Sequence, residues 1–133
     1  MKKTPYFSHD SNARTDPKIV ALKKKYGLKG YGQWWVLIEM LREQENYCLP
    51  CKEWAYEAVG AEINEEPTEA QGFITDLIKR FELLKTDEEK FWSESLNRRM
   101  ELMEAKTEQA REAALKRWEK EKQKKQSGRN AAA

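Results

Sequence analysis

The stretch TEAQGFITDLIKRFELLKTDEEKFWS, residues 68–93, decides the expected fold. Thr68 and Gln71 match a capping box, and the apolar residues that follow recur at helical spacing, which predicts an amphipathic helix. Two short segments, 82–85 and 90–93, then flank a polar turn and predict a β-hairpin. Because helices followed by one small hairpin are typical of a winged helix, the sequence predicts that fold. The predicted apolar face of the helix consists of Ala70, Phe73, Ile74, Leu77, Ile78 and Phe81.

Three further helices are predicted before this stretch. Asp16 followed by Pro17 is typical of a helix start, and Gly27 is typical of a helix end. Gly60 is expected to end the third helix in the same way. The second helix is the most apolar and is the expected centre of the core. The three helices are predicted over residues 17–26, 31–44 and 52–59, with a short extended piece at 47–49.

The chain after the hairpin is predicted to form one long helix, from about residue 94 to residue 125. Beyond Met103 its apolar stripe is thin, which indicates a charged arm rather than a core helix. The expected fold class is mainly α, with four helices and a small β-hairpin wing followed by this long C-terminal helix. The predicted organisation is a winged-helix domain over residues 1–101, a charged helical arm over 102–126 and a disordered tail over 127–133.

The charges of the chain nearly cancel but are unevenly distributed. Lysine and arginine number 25 and aspartate and glutamate 23, for a net charge of +2. The net charge is +4 over residues 1–50, −6 over 51–101 and +4 over 102–133. The small sum excludes a uniform polycation, whereas clustered lysine and arginine at both ends are what phosphate binding requires.

These basic clusters are the expected DNA contacts, although each cluster alone is equally consistent with a solvated helix face. The cluster near the C-terminal end begins at Arg111 and continues through Lys122, Lys124 and Lys125. Two flanking clusters around a winged helix favour contact with the DNA backbone, either single- or double-stranded. The residues predicted to bind DNA are Arg14, Lys18, Lys23, Lys24, Lys25, Lys29, Lys85, Lys90, Arg111, Lys116, Arg117 and Lys120.

The helix before the hairpin is the one that would enter the major groove in a helix-turn-helix protein. Its predicted exposed face is nearly neutral and lies within the acidic middle of the chain. We therefore expect binding without close base readout. The residues of that face are Glu69, Gln71, Thr75, Asp76 and Lys79.

An alternative function is suggested by the apolar stripe of the last helix. Leu96, Met100, Met103 and Trp118 lie at steps compatible with a single stripe. Such a stripe packs on the domain or pairs with another chain. A protein-interaction or oligomerisation module is therefore the alternative hypothesis, with self-association through these four residues.

The sequence offers no catalytic constellation. His9 is the single histidine and has no nucleophile motif beside it, and Cys48 and Cys51 lack the second ligand pair of a zinc site. Residues 30–32, GYG, do not match a phosphate-binding loop. The longest apolar run, residues 34–38, is too short to span a membrane. We expect a cytoplasmic protein that is not an enzyme and has no cofactor or metal.

Several segments of the chain agree in order with one known family. These segments are YFSHD at 6–10, NAR at 12–14, DPKI at 16–19, KYG at 25–27, GYG at 30–32 and SESLNRRM at 93–100. On these segments the chain resembles the N-terminal domain of phage and prophage replisome organiser proteins, which are related to the DnaD-type replication initiation proteins.

This resemblance implies a winged-helix domain without enzymatic activity. It further implies a role in assembling the replication machinery on DNA, through DNA binding, self-association and contacts with replication proteins of the host or phage. The expected function is thus a DNA-binding module of a phage-type replication initiation protein.

Overall fold

The computed structural model describes the backbone of residues 13–132 and the side chains of residues 13–124. His9 and the segment at 6–12 therefore lie outside the described residues. Within the described part, a short 3₁₀ turn at Ala13–Thr15 precedes four helices and three strands. These elements are α1 (Pro17–Glu43), β1 (Cys48–Pro50), α2 (Glu53–Ile63), α3 (Pro67–Lys79), β2 (Lys85–Thr86), β3 (Lys90–Trp92) and α4 (Glu94–Ala132).

Helix α1 is bent at Gly27. It starts as predicted, with the Asp16 carboxylate accepting a hydrogen bond from the Lys18 backbone N–H at 2.8 Å. Gly27 has φ 72° and ψ −169°, a conformation that glycine adopts without a steric penalty. The predicted break at Gly27 is therefore present, but the predicted linker at 28–30 is helical because one residue suffices to redirect the chain.

Helix α2 does not end at Gly60, so that prediction is wrong. The helix continues to Ile63 and is capped by Asn64 in the left-handed conformation, with φ 59°. The Glu65 backbone N–H donates to Gly60 O at 2.9 Å, and a Cβ at Gly60 would lie 2.6 Å from Glu65 O. Gly60 thus allows the chain to fold closely over the end of α2, which positions the tight turn before α3.

Helix α3 starts two residues earlier than the predicted capping box requires. Pro67 occupies the first turn and Glu66 is the N-cap, without a capping hydrogen bond from its side chain. The Thr68 capping box is therefore wrong, because proline's fixed φ already favours a helix start at Pro67. Phe81 is buried but lies beyond the end of α3 at Lys79, so it is a core residue without being part of the helix.

The hairpin belongs to a three-stranded antiparallel sheet in the order β1-β3-β2. Phe91 in the central strand is paired with Leu49 on one side and Thr86 on the other. The predicted strand at 82–85 is mostly wrong, because Glu82 has a positive φ of 52° and only Lys85 of that segment joins β2. The extended piece predicted at 47–49 contributes the third strand.

The core of the first unit, which ends at Arg98, lies between these helices and the sheet. The order of helix, strand, two helices and two strands is that of a winged-helix-like arrangement, with α2 and α3 as its helix-turn-helix. The fold class predicted from the sequence is confirmed. Fully buried side chains that form this core include Leu22, Leu37, Leu41, Ile74, Leu77, Leu84 and Phe91.

Helix α4 begins directly after Ser93, whose Oγ accepts a hydrogen bond from the Leu96 backbone N–H at 3.1 Å. The second unit begins at Arg99, and every side chain described between residues 104 and 124 is exposed. The helical backbone continues to Ala132 and so includes residues 127–132, which the sequence predicted to be a disordered tail.

Candidate nucleic-acid interface

The solvent-facing side of α3 is formed mainly by small polar residues. At about 100° per residue, Thr68, Gly72, Thr75 and Lys79 lie along the middle of this face, and Gln71 lies at one edge. All five are exposed. We refer to these five residues as the α3 face. It carries the positive charge of Lys79, and Glu69, predicted from the sequence to lie on this exposed side, is an exposed carboxylate about 90° around the helix from its middle.

Asp76 is not freely exposed, contrary to the sequence prediction. It lies at the same edge of the exposed arc as Glu69, where Lys25 Nζ is 2.6 Å from the Asp76 Oδ2, and the Tyr26 hydroxyl donates to the same oxygen. Tyr26 also packs edge-on against Phe73, with ring centroids 5.0 Å apart. The first half of α1 therefore covers this edge of α3 and neutralises its carboxylate.

The pKa values of this cluster are shifted as the contacts require. The hydrogen bond from Lys25, with a smaller contribution from Tyr26, holds the pKa of Asp76 below its ordinary value. Burial, followed by the hydrogen bond to Asp76, raises the pKa of Tyr26 to about 12. Asp76 is thus ionised and Tyr26 protonated at neutral pH, which is the state that this hydrogen bond needs.

A second lysine of α1 is paired at the turn between α2 and α3. Lys29 Nζ lies 2.6 Å from Glu65 Oε1, and Gln33 Nε2 donates to the same oxygen at 3.1 Å and to Ile63 O at 2.9 Å. The Lys29 hydrogen bond lowers the pKa of Glu65. Two lysines predicted to bind DNA, Lys25 and Lys29, therefore hold carboxylates of the helix-turn-helix.

The other predicted residues of the N-terminal cluster have different surroundings. Lys18 Nζ donates to Glu82 O at 3.1 Å, and Lys23 Nζ lies 5.6 Å from the centre of the Tyr31 ring. Lys24 and Arg14 are exposed. Several lysines of the cluster therefore make contacts within the fold, and fewer of its charges are available to phosphates than the sequence suggested.

The wing carries its lysines next to carboxylates. Asp87 accepts hydrogen bonds from the backbone N–H groups of Glu89 at 3.0 Å and Lys90 at 2.9 Å, and the Lys90 bond is the main reason that its pKa is lowered. Lys90 Nζ lies 3.8 Å from Asp87 Oδ2, and Lys85 is exposed. Because Glu88 is also exposed at the tip, the wing is not a basic surface.

The charges of α4 are separated onto different faces of the helix. Lys106, Arg117, Lys120 and Lys124 recur at spacings that place them on one face, which we call the basic stripe. Each is exposed, and none of the four forms an ion pair with a described residue. Six of the seven acidic residues of α4 lie roughly 115–165° around the axis from this stripe: Glu94, Glu101, Glu104, Glu108, Glu112 and Glu119. The seventh, Glu121, borders the stripe, because it follows Arg117 by four residues and precedes Lys124 by three.

This separation divides the residues predicted on α4. Arg117 and Lys120 belong to the basic stripe, whereas Arg111 and Lys116 are exposed but lie on other faces. Lys106 was missed by the sequence prediction because it stands alone between acidic neighbours in the chain. Its helical spacing from Arg117 and Lys120 is the signal that could have found it.

The residues predicted for self-association are not equally accessible. Leu96 and Met100 are buried in the single chain, and Met103 is partly buried. Trp118 is 62% exposed, with Lys122 Nζ 5.3 Å from its ring centre, and Leu115 is 56% exposed. The exposed large apolar side chains of α4 are therefore Trp118, Leu115 and Leu102, and the sequence prediction did not include the two leucines.

Cys48 and Cys51 are free thiols, and Cys51 Sγ lies 3.7 Å from Thr86 Oγ1. In the part of the chain that the structure describes, no three His, Cys, Asp or Glu side chains are grouped so that they could hold a metal ion. None of the helices between residues 13 and 132 has the length and apolar content of a membrane span.

The fold and these surfaces define a winged-helix-like module whose last helix extends into a charged arm. The chain belongs to the phage-type family described as Lin1244/Lin1753-like, N-terminal, whose model matches residues 6–96. No curated protein and no solved structure is significantly similar to it.

Proposed function

We propose that this chain is a DNA-binding module of a phage-type replication initiation protein, and that it holds the phosphate backbone of DNA. The basic stripe of α4 carries this proposal. Four exposed cations without ion-pair partners on one helix face are suited to neutralising phosphates, and the carboxylates of α4 lie largely on a different face. Exposed Lys24 and Lys85 on the first unit supply further positive charge.

The replication role rests on the resemblance to replisome organiser proteins of the DnaD type. Membership of a phage-type family is compatible with that role. In this proposal the chain has no catalytic part and acts by binding DNA, where it meets other replication proteins.

The proposal is tested by fluorescence anisotropy with a labelled mixed-sequence duplex and a single strand of the same length, across a salt series. We expect measurable binding at low salt that weakens linearly in a log–log plot. Replacing two cations of the basic stripe, Arg117→Gln with Lys120→Gln, should lower the magnitude of the duplex salt slope by roughly 1.8, about 0.9 per lost contact.

A matched control is available on the same helix. Arg111→Gln with Lys116→Gln removes the same residue types and the same charge from positions outside the basic stripe. This pair should change the slope much less. Equal effects of the two pairs would show that only net charge matters, and no binding at low salt would refute the proposal.

A second candidate function is favoured by the exposed Trp118 and Leu115 of α4. Large apolar side chains at 62% and 56% exposure, in a stretch of α4 whose described side chains are all exposed, are typical of a surface that binds another protein. Light scattering over a concentration series tests self-association. A mass that rises with concentration for the natural chain but not for Trp118→Ala would support it, and a monomer at every concentration would exclude it.

A further inference from the structure

Two carboxylates, Glu69 and Asp76, lie at the same edge of the α3 face, and Asp76 is neutralised by α1 whereas Glu69 is exposed. Asp76 Oδ2 accepts hydrogen bonds from Lys25 Nζ and from the Tyr26 hydroxyl, so the negative charge of this carboxylate is paired with groups of α1. Its side chain is 25% exposed and that of Lys25 is 38% exposed. The pair therefore lies at the surface, close enough to the α3 face for its charge to matter.

Loss of Lys25 would leave an unpaired carboxylate beside that face. Tyr26 would still donate one hydrogen bond, but it carries no positive charge to balance Asp76. A carboxylate a few ångströms from a phosphate is repelled, and the repulsion is only partly screened at physiological salt. The same lysine thus influences DNA binding without needing to touch DNA.

We propose that Lys25 is a positioning residue that keeps Asp76 paired against α1, so that Thr68, Gln71, Thr75 and Lys79 of α3 can lie against the major groove of duplex DNA. The inference rests on the proposed DNA-binding function and extends it from the backbone to the groove. Glutamine and threonine side chains are suited to that surface because both donate and accept hydrogen bonds at base edges. Gly72 adds no side chain, and a Cβ there would meet nothing within 4 Å.

The proposal differs from a direct phosphate contact in how Lys25 and Asp76 are coupled. If Lys25 acts through Asp76, Lys25→Met weakens duplex binding in the natural chain but has little effect when Asp76 is already asparagine. If Lys25 touches a phosphate, Lys25→Met weakens binding at least as much in the Asp76→Asn background. A purely additive effect of net charge gives equal losses in both backgrounds.

The experiment is a double-mutant cycle of Lys25→Met and Asp76→Asn in the full chain, measured by anisotropy with a mixed-sequence duplex. We expect Lys25→Met to weaken binding roughly three- to tenfold in the natural background and less than about twofold in the Asp76→Asn background. The salt slope should stay nearly constant, because no phosphate contact is lost. Lys24→Met is the matched control and should have the same effect in both backgrounds.

Equal losses in the two backgrounds, or a salt slope lowered by about 0.9 on Lys25→Met, would overturn the proposal. Circular dichroism melting of each variant verifies that the comparison is made between folded chains. If the natural chain binds no duplex at all, the proposed DNA-binding function itself fails. If it binds and the cycle shows no coupling, only the role of Lys25 fails.

Discussion

Lys25 Nζ and Asp76 Oδ2 lie 2.6 Å apart although 51 residues separate them in the chain. The contact joins the first half of α1 to α3. A second ion pair, between Lys29 and Glu65, joins α1 to the turn between α2 and α3. Two basic residues of the N-terminal cluster are therefore paired with carboxylates of the acidic middle segment at the surface of the fold. This pairing changes which cations are available to DNA.

The Lys25–Asp76 contact predicts a pH dependence of stability. The pKa of Asp76 is lower in the folded chain than in the unfolded one, so its contribution is present above the unfolded pKa of about 3.9 and is lost as the pH falls through the folded value. Asp76→Asn should therefore lower the free energy of unfolding by about 0.5 to 1 kcal/mol at pH 7, a small value because both side chains are partly exposed. The difference should shrink towards pH 3.

Urea unfolding of the natural chain and Asp76→Asn at pH 7 and pH 3 measures this change. Glu62→Gln is a suitable control, because Glu62 is an exposed carboxylate of α2 that forms no ion pair with a described residue. The control should show little difference at either pH. A destabilisation by Asp76→Asn that is the same at both pH values would contradict the assignment.

The close approach at Gly60 predicts opposite effects of alanine at two helical glycines. Gly60→Ala should destabilise the fold by about 1 to 3 kcal/mol, because its Cβ would lie 2.6 Å from Glu65 O. Gly72→Ala should instead stabilise it by roughly 0.5 to 1 kcal/mol, since the site is open and alanine favours a helix. Thermal or urea unfolding of both variants decides the matter, and a neutral Gly60→Ala would show that the turn relaxes freely.

The burial pattern predicts a contrast between two leucines. Leu77 is fully buried, so Leu77→Ala should lower the free energy of unfolding by about 2 to 5 kcal/mol. Leu28 is 78% exposed, and Leu28→Ala should change it by no more than about 0.5 kcal/mol. Chemical unfolding followed by circular dichroism measures both. A large loss on Leu28→Ala would mean that this leucine is covered in solution, for example by another chain.

Much of the fold was predictable from local patterns. The Asp16 cap, the break at Gly27, the amphipathic α3 and the hairpin each depend on a few neighbouring residues, whose preferences are visible in the sequence. The error at Thr68 is itself local, because Pro67 sets the helix start, whereas the error at Gly60 lies where a tertiary contact outweighs local preferences. The local pattern predicts that Gly60 ends the helix, yet Gly60 is helical. A glycine is needed there because the backbone at Glu65 passes closely over it.

The candidate site was predicted less well than the fold. The sequence shows where basic residues cluster, and for α4 it also contains the spacing that assigns Lys106 to the basic stripe. It does not show that Lys25 and Lys29 are paired, because each partner comes from a distant segment. Exposure has the same limitation, since Leu96 and Trp118 look alike in the stripe but only Trp118 is exposed.

The sequence by itself determined the order of the elements, the helical periodicity and the location of the charge clusters, because these properties are local. The tertiary structure alone decided which charges neutralise one another. Asp76 looked like an exposed acid on α3, but the packing of α1 brings Lys25 and Tyr26 onto it. An ion pair depends on distance in space, and only the fold brings together groups that the chain keeps 51 residues apart.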